Sequence, residues 1–270
     1  SSTRIIVQLR GSNFSNWFKG SSPAMQRYVR RILRRAFGVI VLGKNLRHIF
    51  EPFFPPARIF VIPNGGNFPI PPRSGMQDNC IRLLWVSNFL PSKGFFDVLL
   101  ALSRLNDKKG EKKFHLKALG AWYDSAFQKK CEELIKSRKL PVEIITSDAG
   151  REEKYLQLAN ADIFIFTPVA PEGHPWVIVE ALAAGLPVIA TAMGAIEQSV
   201  VDGKNGFIVP VNEPDAIAAK ILELASEPGR LKEMGQCSRA LYQKRFTEEI
   251  MTAAYIEVFE KARGNYGKDT

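Results

Sequence analysis

The chain has 270 residues, 46% of them hydrophobic, with a net charge of +10, enough to bury a sizeable core in one large or two small domains. No run reaches the ~18 uninterrupted apolar residues of a membrane span, and the opening residues carry no signal-peptide pattern. Three scattered cysteines (Cys80, Cys131, Cys237) and three histidines (His48, His115, His174) without ligand spacing predict neither a disulfide framework nor a metal site, only buried free thiols in a reducing cytoplasm.

The first segment alternates short apolar runs with basic stretches. Residues 4–9, 38–42 and 58–62 read as strands. Ser22-Pro23 reads as a helix start, an N-cap followed by proline in the first turn. The helix is expected to run to about Phe37, with Met25, Tyr28, Val29, Ile32, Leu33, Ala36 and Phe37 packed on a sheet. Arg27, Arg30, Arg31, Arg34 and Arg35 fall on its other, exposed face. Residues 1–60 hold eleven Lys/Arg against the single acid Glu51, so the whole net charge of +10 sits here, and the partner it attracts meets this segment. Pro63-Asn64-Gly65-Gly66 and the proline-rich stretch after it mark an interdomain linker.

Strands and helices then alternate: strand 81–86, helix 94–105, strand 114–119, helix 123–138, strand 142–146, helix 151–160 and strand 162–167. Such alternation predicts a parallel sheet covered by helices on both faces. A helix starting at His174-Pro175, a stop at Gly185 and a buried strand over 186–190 follow, then three helices over 213–225, 230–245 and 248–262.

The densest chemical signal is Glu172-Gly-His-Pro-Trp-Val-Ile-Val-Glu180. Glu172 lies in the loop before the helix and Glu180 on its second turn. Between them the backbone N–H groups of Trp176 and Val177 leave the helix N-terminus, where an anion is favoured. A phosphate cradle flanked by two carboxylates suits a ligand carrying both phosphate and hydroxyl groups, and a nucleotide sugar is such a ligand. Joined to Gly185-Leu-Pro-Val-Ile-Ala-Thr191 and to the stretch from Gly194 to Val209, this segment resembles the retaining GT-B glycosyltransferases of glycosyltransferase family 4 (group 1).

The resemblance implies an α/β fold of GT-B type. Residues 1–66 would form a partial N-terminal, acceptor-side Rossmann-like domain, and residues 67–245 a nucleotide-sugar-binding C-terminal one. Residues 246–270 would cross back to the first domain, and the short N-terminal part suggests a truncated chain. By the same resemblance, Lys93 and Gly94 meet the donor diphosphate, with Asn88 standing where an arginine is usual and able to offer only a neutral donor. Gly120 lies near the nucleotide, and the loop from Thr146 to Glu152 meets base and ribose. Glu172 faces the transferred sugar and Glu180 the ribose hydroxyls, with Trp176 and Val177 on the diphosphate. His174-Pro175 replaces the more frequent Phe-Gly; the histidine either reaches the sugar or stays solvated. On the acceptor side Arg10-Gly11 stands where many members have His-Gly, so that Arg10 either binds an anion or adds to the basic surface, and Gln198 replaces a common glutamate.

The expected reaction is sugar transfer from a UDP- or GDP-sugar to an acceptor hydroxyl with retention, resting on Lys93 and the helix N-terminus with no cofactor or metal. A saccharide or lipid-linked acceptor in cell-surface polysaccharide or glycolipid synthesis fits the basic surface, with Arg27, Arg30, Arg31, Arg34 and Arg35 docking on an anionic membrane from the cytoplasmic side. The alternatives are a phosphorylase on the same fold, or an inactive, truncated chain acting as a basic membrane-surface module. Nucleic-acid binding lacks the interleaved aromatics such sites use.

Overall fold

The computed structural model describes residues 4–74, 80–107, 113–146 and 150–264. Among them, two parallel sheets form, one of order β1-β2-β3 and one of order β6-β5-β4-β7-β8-β9. The small sheet holds β1 (Ile5–Gln8), β2 (Ala36–Val41) and β3 (Ile59–Val61), with α1 (Phe14–Gly20) and α2 (Pro23–Leu33) crossing between the first two. The large sheet and its helices are β4 (Cys80–Val86), α3 (Phe95–Asp107), β5 (Lys113–Gly120), α4 (Ser125–Ser137), β6 (Val142–Thr146), α5 (Gly150–Asn160) and β7 (Ile163–Phe166), then α6 (Trp176–Ala183), β8 (Val188–Thr191), β9 (Gly206–Val209), α7 (Pro214–Ser226) and α8 (Pro228–Arg245). α9 (Glu248–Arg263) closes the described chain.

Strands buried on both faces need apolar residues at consecutive positions, since successive side chains point to opposite sides. β4 meets that demand. Leu83 and Trp85 enter a core with α3, α4 and α7, whereas Leu84 and Val86 enter one with α5, α6 and α8. The small sheet is covered on one face by Leu33, Leu46, Phe50 and Phe54. On its other face Ile40 and Ile62 pack with Met251, Tyr255 and Val258 of α9, and Gln8 donates to the Tyr255 hydroxyl at 2.5 Å.

Several local expectations are corrected. α2 starts as read, with Ser22 Oγ accepting from Met25 N at 3.3 Å, but ends at Leu33. Ala36 and Phe37 belong instead to β2, where Ala36 pairs with Ile5 and the Phe37 ring stacks 6.2 Å from Phe60. Only Val29 and Leu33 of the helical stripe pack inward, leaving Met25, Tyr28 and Ile32 exposed beside the arginines. α1, with Phe14, Trp17 and Phe18 at helical spacing, and β9 were not foreseen. The linker is pinned: Gly66 N donates to Phe246 O at 3.0 Å and the Tyr242 hydroxyl to Gly66 O at 2.8 Å. Of the thiols only Cys131 is buried, which pushes it up to about 12, and Cys237 is exposed.

Candidate functional site

In an open parallel sheet, ligands collect where the strand order reverses, beyond the carboxyl ends of the strands. Here the chain runs outward from β4 through β5 to β6, then returns to the other side of β4 as β7. The loops after β4 and β7 therefore meet at the reversal. They are knitted together: Val169 N donates to Ser92 O at 2.9 Å. Gly94 takes φ +76°, and a Cβ there would stand 1.8 Å from Thr167 O, so only glycine lets the loops approach this closely. The result is a pairing of the two proposed catalytic residues, Lys93 Nζ donating to Glu172 Oε1. Both are partly buried, with side chains 24% and 15% exposed. An ammonium has three N–H donors, so two remain for a further anion.

A cavity of about 350 Å³ opens at the ends of β4, β5 and β6, lined by Ser87, Asn88, Gly120, Thr146, Lys154 and Val177 among others, with neither Lys93 nor Glu172 in its lining. Residues 147–149 of the loop assigned to base and ribose lie outside the described residues. Pro175 sits just before α6 in an extended conformation, as the N-cap and not within the first turn. Ile178 N bonds back to Pro175 O at 3.2 Å, and Trp176 and Val177 supply the first helical N–H groups. Glu180, on the second turn, is buried. Its Oε1 accepts from Lys154 Nζ at 2.5 Å. Its Oε2 is buried without a hydrogen-bond partner among the described residues. Burial raises this carboxyl above its ordinary range, against the opposing pull of Lys154.

Lys154 was the residue missed from sequence. A carboxylate among Val177, Ile178, Val179, Ala181 and Leu182 demands a partner, but nothing local says which cation of α5 supplies it.

His174 is corrected in a different sense. It neither reaches into the cleft nor meets solvent; it is 3% exposed. Asn64 N donates to Nδ1 at 3.0 Å, Asn64 Nδ2 to the His174 carbonyl at 2.5 Å, and Nε2 lies 2.5 Å from Ser199 Oγ. The imidazole pins the end of the small sheet to the Glu172 loop. Burial, with the charge of Arg245 second, lowers its pKa to about 3.

On the acceptor side the Arg10 side chain is exposed while its backbone is pressed onto the Glu172 loop: a Cβ on Gly173 would stand 2.2 Å from Arg10 O. Gly11, by contrast, has open space around it. Asn45 Nδ2 bonds Gly194 O, and Ala195 N donates to Gly173 O at 2.7 Å. Gln198 lies at this junction, its carbonyl accepting from Arg245 at 3.1 Å. Arg27, Arg30 and Arg31 of α2, with Arg34 and Arg35 just after it, line a separate groove of about 480 Å³.

Comparison with known proteins identifies the family and the fold. The sequence profile of "Glycosyl transferases group 1" matches residues 69–241. An uncharacterized glycosyltransferase of Methanocaldococcus jannaschii is 30% identical over 181 residues, 66% of this chain and 47% of that protein. A trehalose synthase of Pyrococcus horikoshii is 28% identical over 186 residues, 66% of this chain and 43% of the synthase. The chain thus spans less than half the length of these curated relatives. Among solved structures, a glycosyltransferase from Rickettsia africae superposes with TM-score 0.79 at 22% identity, covering 98% of this chain and 71% of that one. An Anabaena protein in complex with UDP and glucose gives 0.77 at 19% identity, covering 97% and 72%. These likenesses establish the fold as α/β of GT-B type. With its profile match spanning well over half the sequence, the chain belongs to the group 1 glycosyl transferases.

Proposed function

We propose that the chain carries the donor side of a glycosyltransferase that moves a sugar from a nucleotide sugar to an acceptor hydroxyl with retention. The observation that carries this reading is the unpartnered, buried Glu180 Oε2 beside the cavity at the strand ends. A buried acceptor atom without a donor is costly, and a ribose hydroxyl is a donor of the right kind. The cavity takes the nucleoside, and the N–H groups of Trp176 and Val177 with the free donors of Lys93 take the diphosphate. Glu172 steers the sugar. No cofactor is invoked. The anomeric carbon–oxygen bond to the diphosphate breaks as the acceptor oxygen bonds the same face, and the acceptor proton passes to the departing phosphate oxygen. Preorganised positive charge at that oxygen stabilises the transition state.

UDP-glucose is the first donor to test, because a neighbour of the same fold from Anabaena was solved with it. A GDP-sugar is the second, since a mannosyltransferase of Mycolicibacterium smegmatis, 27% identical over 173 residues, is GDP-mannose-dependent. That relative acts on a phosphatidylinositol monomannoside, which supports a lipid-linked acceptor in glycolipid or polysaccharide synthesis. Arg27, Arg30, Arg31, Arg34 and Arg35 then hold the protein on the anionic face of the membrane from the cytoplasm. Among the described residues no helix is long and apolar enough to cross a membrane.

Donor titration and transfer kinetics test the site. Glu180→Gln weakens donor binding about ten- to hundredfold, the worth of a buried hydrogen bond to a charged group. Glu172→Gln lowers kcat more than affinity. Both variants within about twofold of the parent on both measures overturn the assignment.

A further inference from the structure

A second cavity, of about 410 Å³, lies on the acceptor side, between α1, α2 and the segment after β2. Its walls are apolar: Phe14, Phe18, Ile49, Pro52 and Phe53. The aromatic packing is tight, Phe18 and Phe53 meeting edge to face at 5.0 Å and Phe14 stacking on Phe50 at 5.0 Å. Its rim carries the cations Lys19 and Arg30 beside the polar Ser15, Gln26 and His48, and no acid lines it. Arg30 lies 5.1 Å over the Phe18 ring and 5.8 Å over that of Phe53, so two cation–π contacts hold its guanidinium at the mouth. The same Arg30 also lines the five-arginine groove, so it is a wall shared by the apolar pocket and the cationic groove.

The pocket also connects to the transfer site by chain geometry. α1 begins three residues after Gly11, and the preceding Arg10 carbonyl touches the Glu172 loop at Gly173. His48 and Ile49 stand on the short helix whose Asn45 bonds Gly194 in the same junction. Both walls therefore hang from the carboxyl ends of β1 and β2, on the side that faces the donor loops.

We propose that this pocket seats the anchor of the acceptor: an apolar chain ending in a phosphate, the chain against Phe14, Phe18 and Phe53 and the phosphate on Arg30 at its mouth. An aromatic pocket alone would take any apolar molecule, and an arginine row alone any polyanion. Joined through one arginine, they select a molecule that is both, with the rest of the acceptor led past Arg10 towards Glu172. The proposal rests on the transferase reading for the name acceptor, not for the binding itself.

Calorimetric titration of the chain with monomeric octyl phosphate tests it, with inorganic phosphate, octanol and UDP titrated in parallel. Octyl phosphate binds, and phosphate and octanol each bind at least about tenfold more weakly. Arg30→Gln and Phe53→Ala each weaken octyl phosphate about tenfold and leave UDP binding unchanged. Arg30 is exposed, so its variant keeps the test valid even if Phe53→Ala fails to fold. Replacing Arg27, Arg31, Arg34 and Arg35 with glutamine releases the protein from anionic vesicles but keeps monomeric octyl phosphate bound, which separates the pocket from the surface. Octyl phosphate binding no tighter than inorganic phosphate, or unaltered by Arg30→Gln, overturns the proposal. Loss of UDP binding alone overturns only the donor reading.

Discussion

Because the Asn64 amide donates to Nδ1 of His174, that nitrogen must keep its lone pair, and Nε2–H then points to Ser199 Oγ. Protonation would set a second N–H against the amide. Burial holds the folded pKa at about 3 against an ordinary 6.5. The unfolded chain therefore binds the extra proton first, and stability present above pH 6.5 is lost as pH falls through the window towards 3. The limiting slope is about 1.4 kcal/mol per pH unit, which amounts to about 2 kcal/mol between neutral pH and pH 5. Urea titrations at both pH values should show this loss in the parent, and His174→Gln should reduce it while lowering stability at neutral pH. The sequence offered this residue only as a loop histidine, because its partners lie 110 and 25 positions away and no local pattern points to either. Glu180 was more legible: five apolar neighbours demanded a paired carboxylate, and the structure supplies Lys154.

At the level of elements, the loop after β4 depends on one backbone conformation. Gly94→Ala meets both a left-handed φ and a carbonyl 1.8 Å from the new Cβ. The conformation costs about 1–2 kcal/mol and the clash about 1–3 more. Gly203 supplies the control, since it has φ +72° with nothing within 4 Å. Gly203→Ala should lose only the conformational part, about 1–2 kcal/mol. Denaturant midpoints compare the two; donor affinity should fall only for Gly94→Ala, because only that loop carries Lys93. The strands of the large sheet were readable from their apolar runs because a parallel sheet buries both faces of each strand. The end of α2 was not. Leu33, Ala36 and Phe37 continue a helical spacing, yet pairing of β2 with β1 draws the last two into a strand. β9 escaped for the opposite reason: its four residues, Gly206–Val209, are an edge strand too short to show a period of its own.

For the molecule as a whole, the uneven charge makes a prediction that salt can read. Arg27, Arg30 and Arg31 of α2 and the following Arg34 and Arg35 face solvent, with Met25, Tyr28 and Ile32 exposed along the helix. Basic residues near an anionic bilayer gain about 1 kcal/mol each. Co-sedimentation should therefore be seen with anionic vesicles and not neutral ones. Raising salt to about 1 M, where the Debye length is about 3 Å, should release the protein. Equal binding to both vesicle types would remove the membrane from the function. At this same scale the tie at His174 acts as a pivot. It fastens the small sheet to the Glu172 loop through Asn64 on one side and Ser199 on the other. A lever turning on a pin moves least beside the pin. Any rocking of the two sheets about this tie would therefore barely disturb the register between Arg10 and Gly173, which lies one residue from the pin.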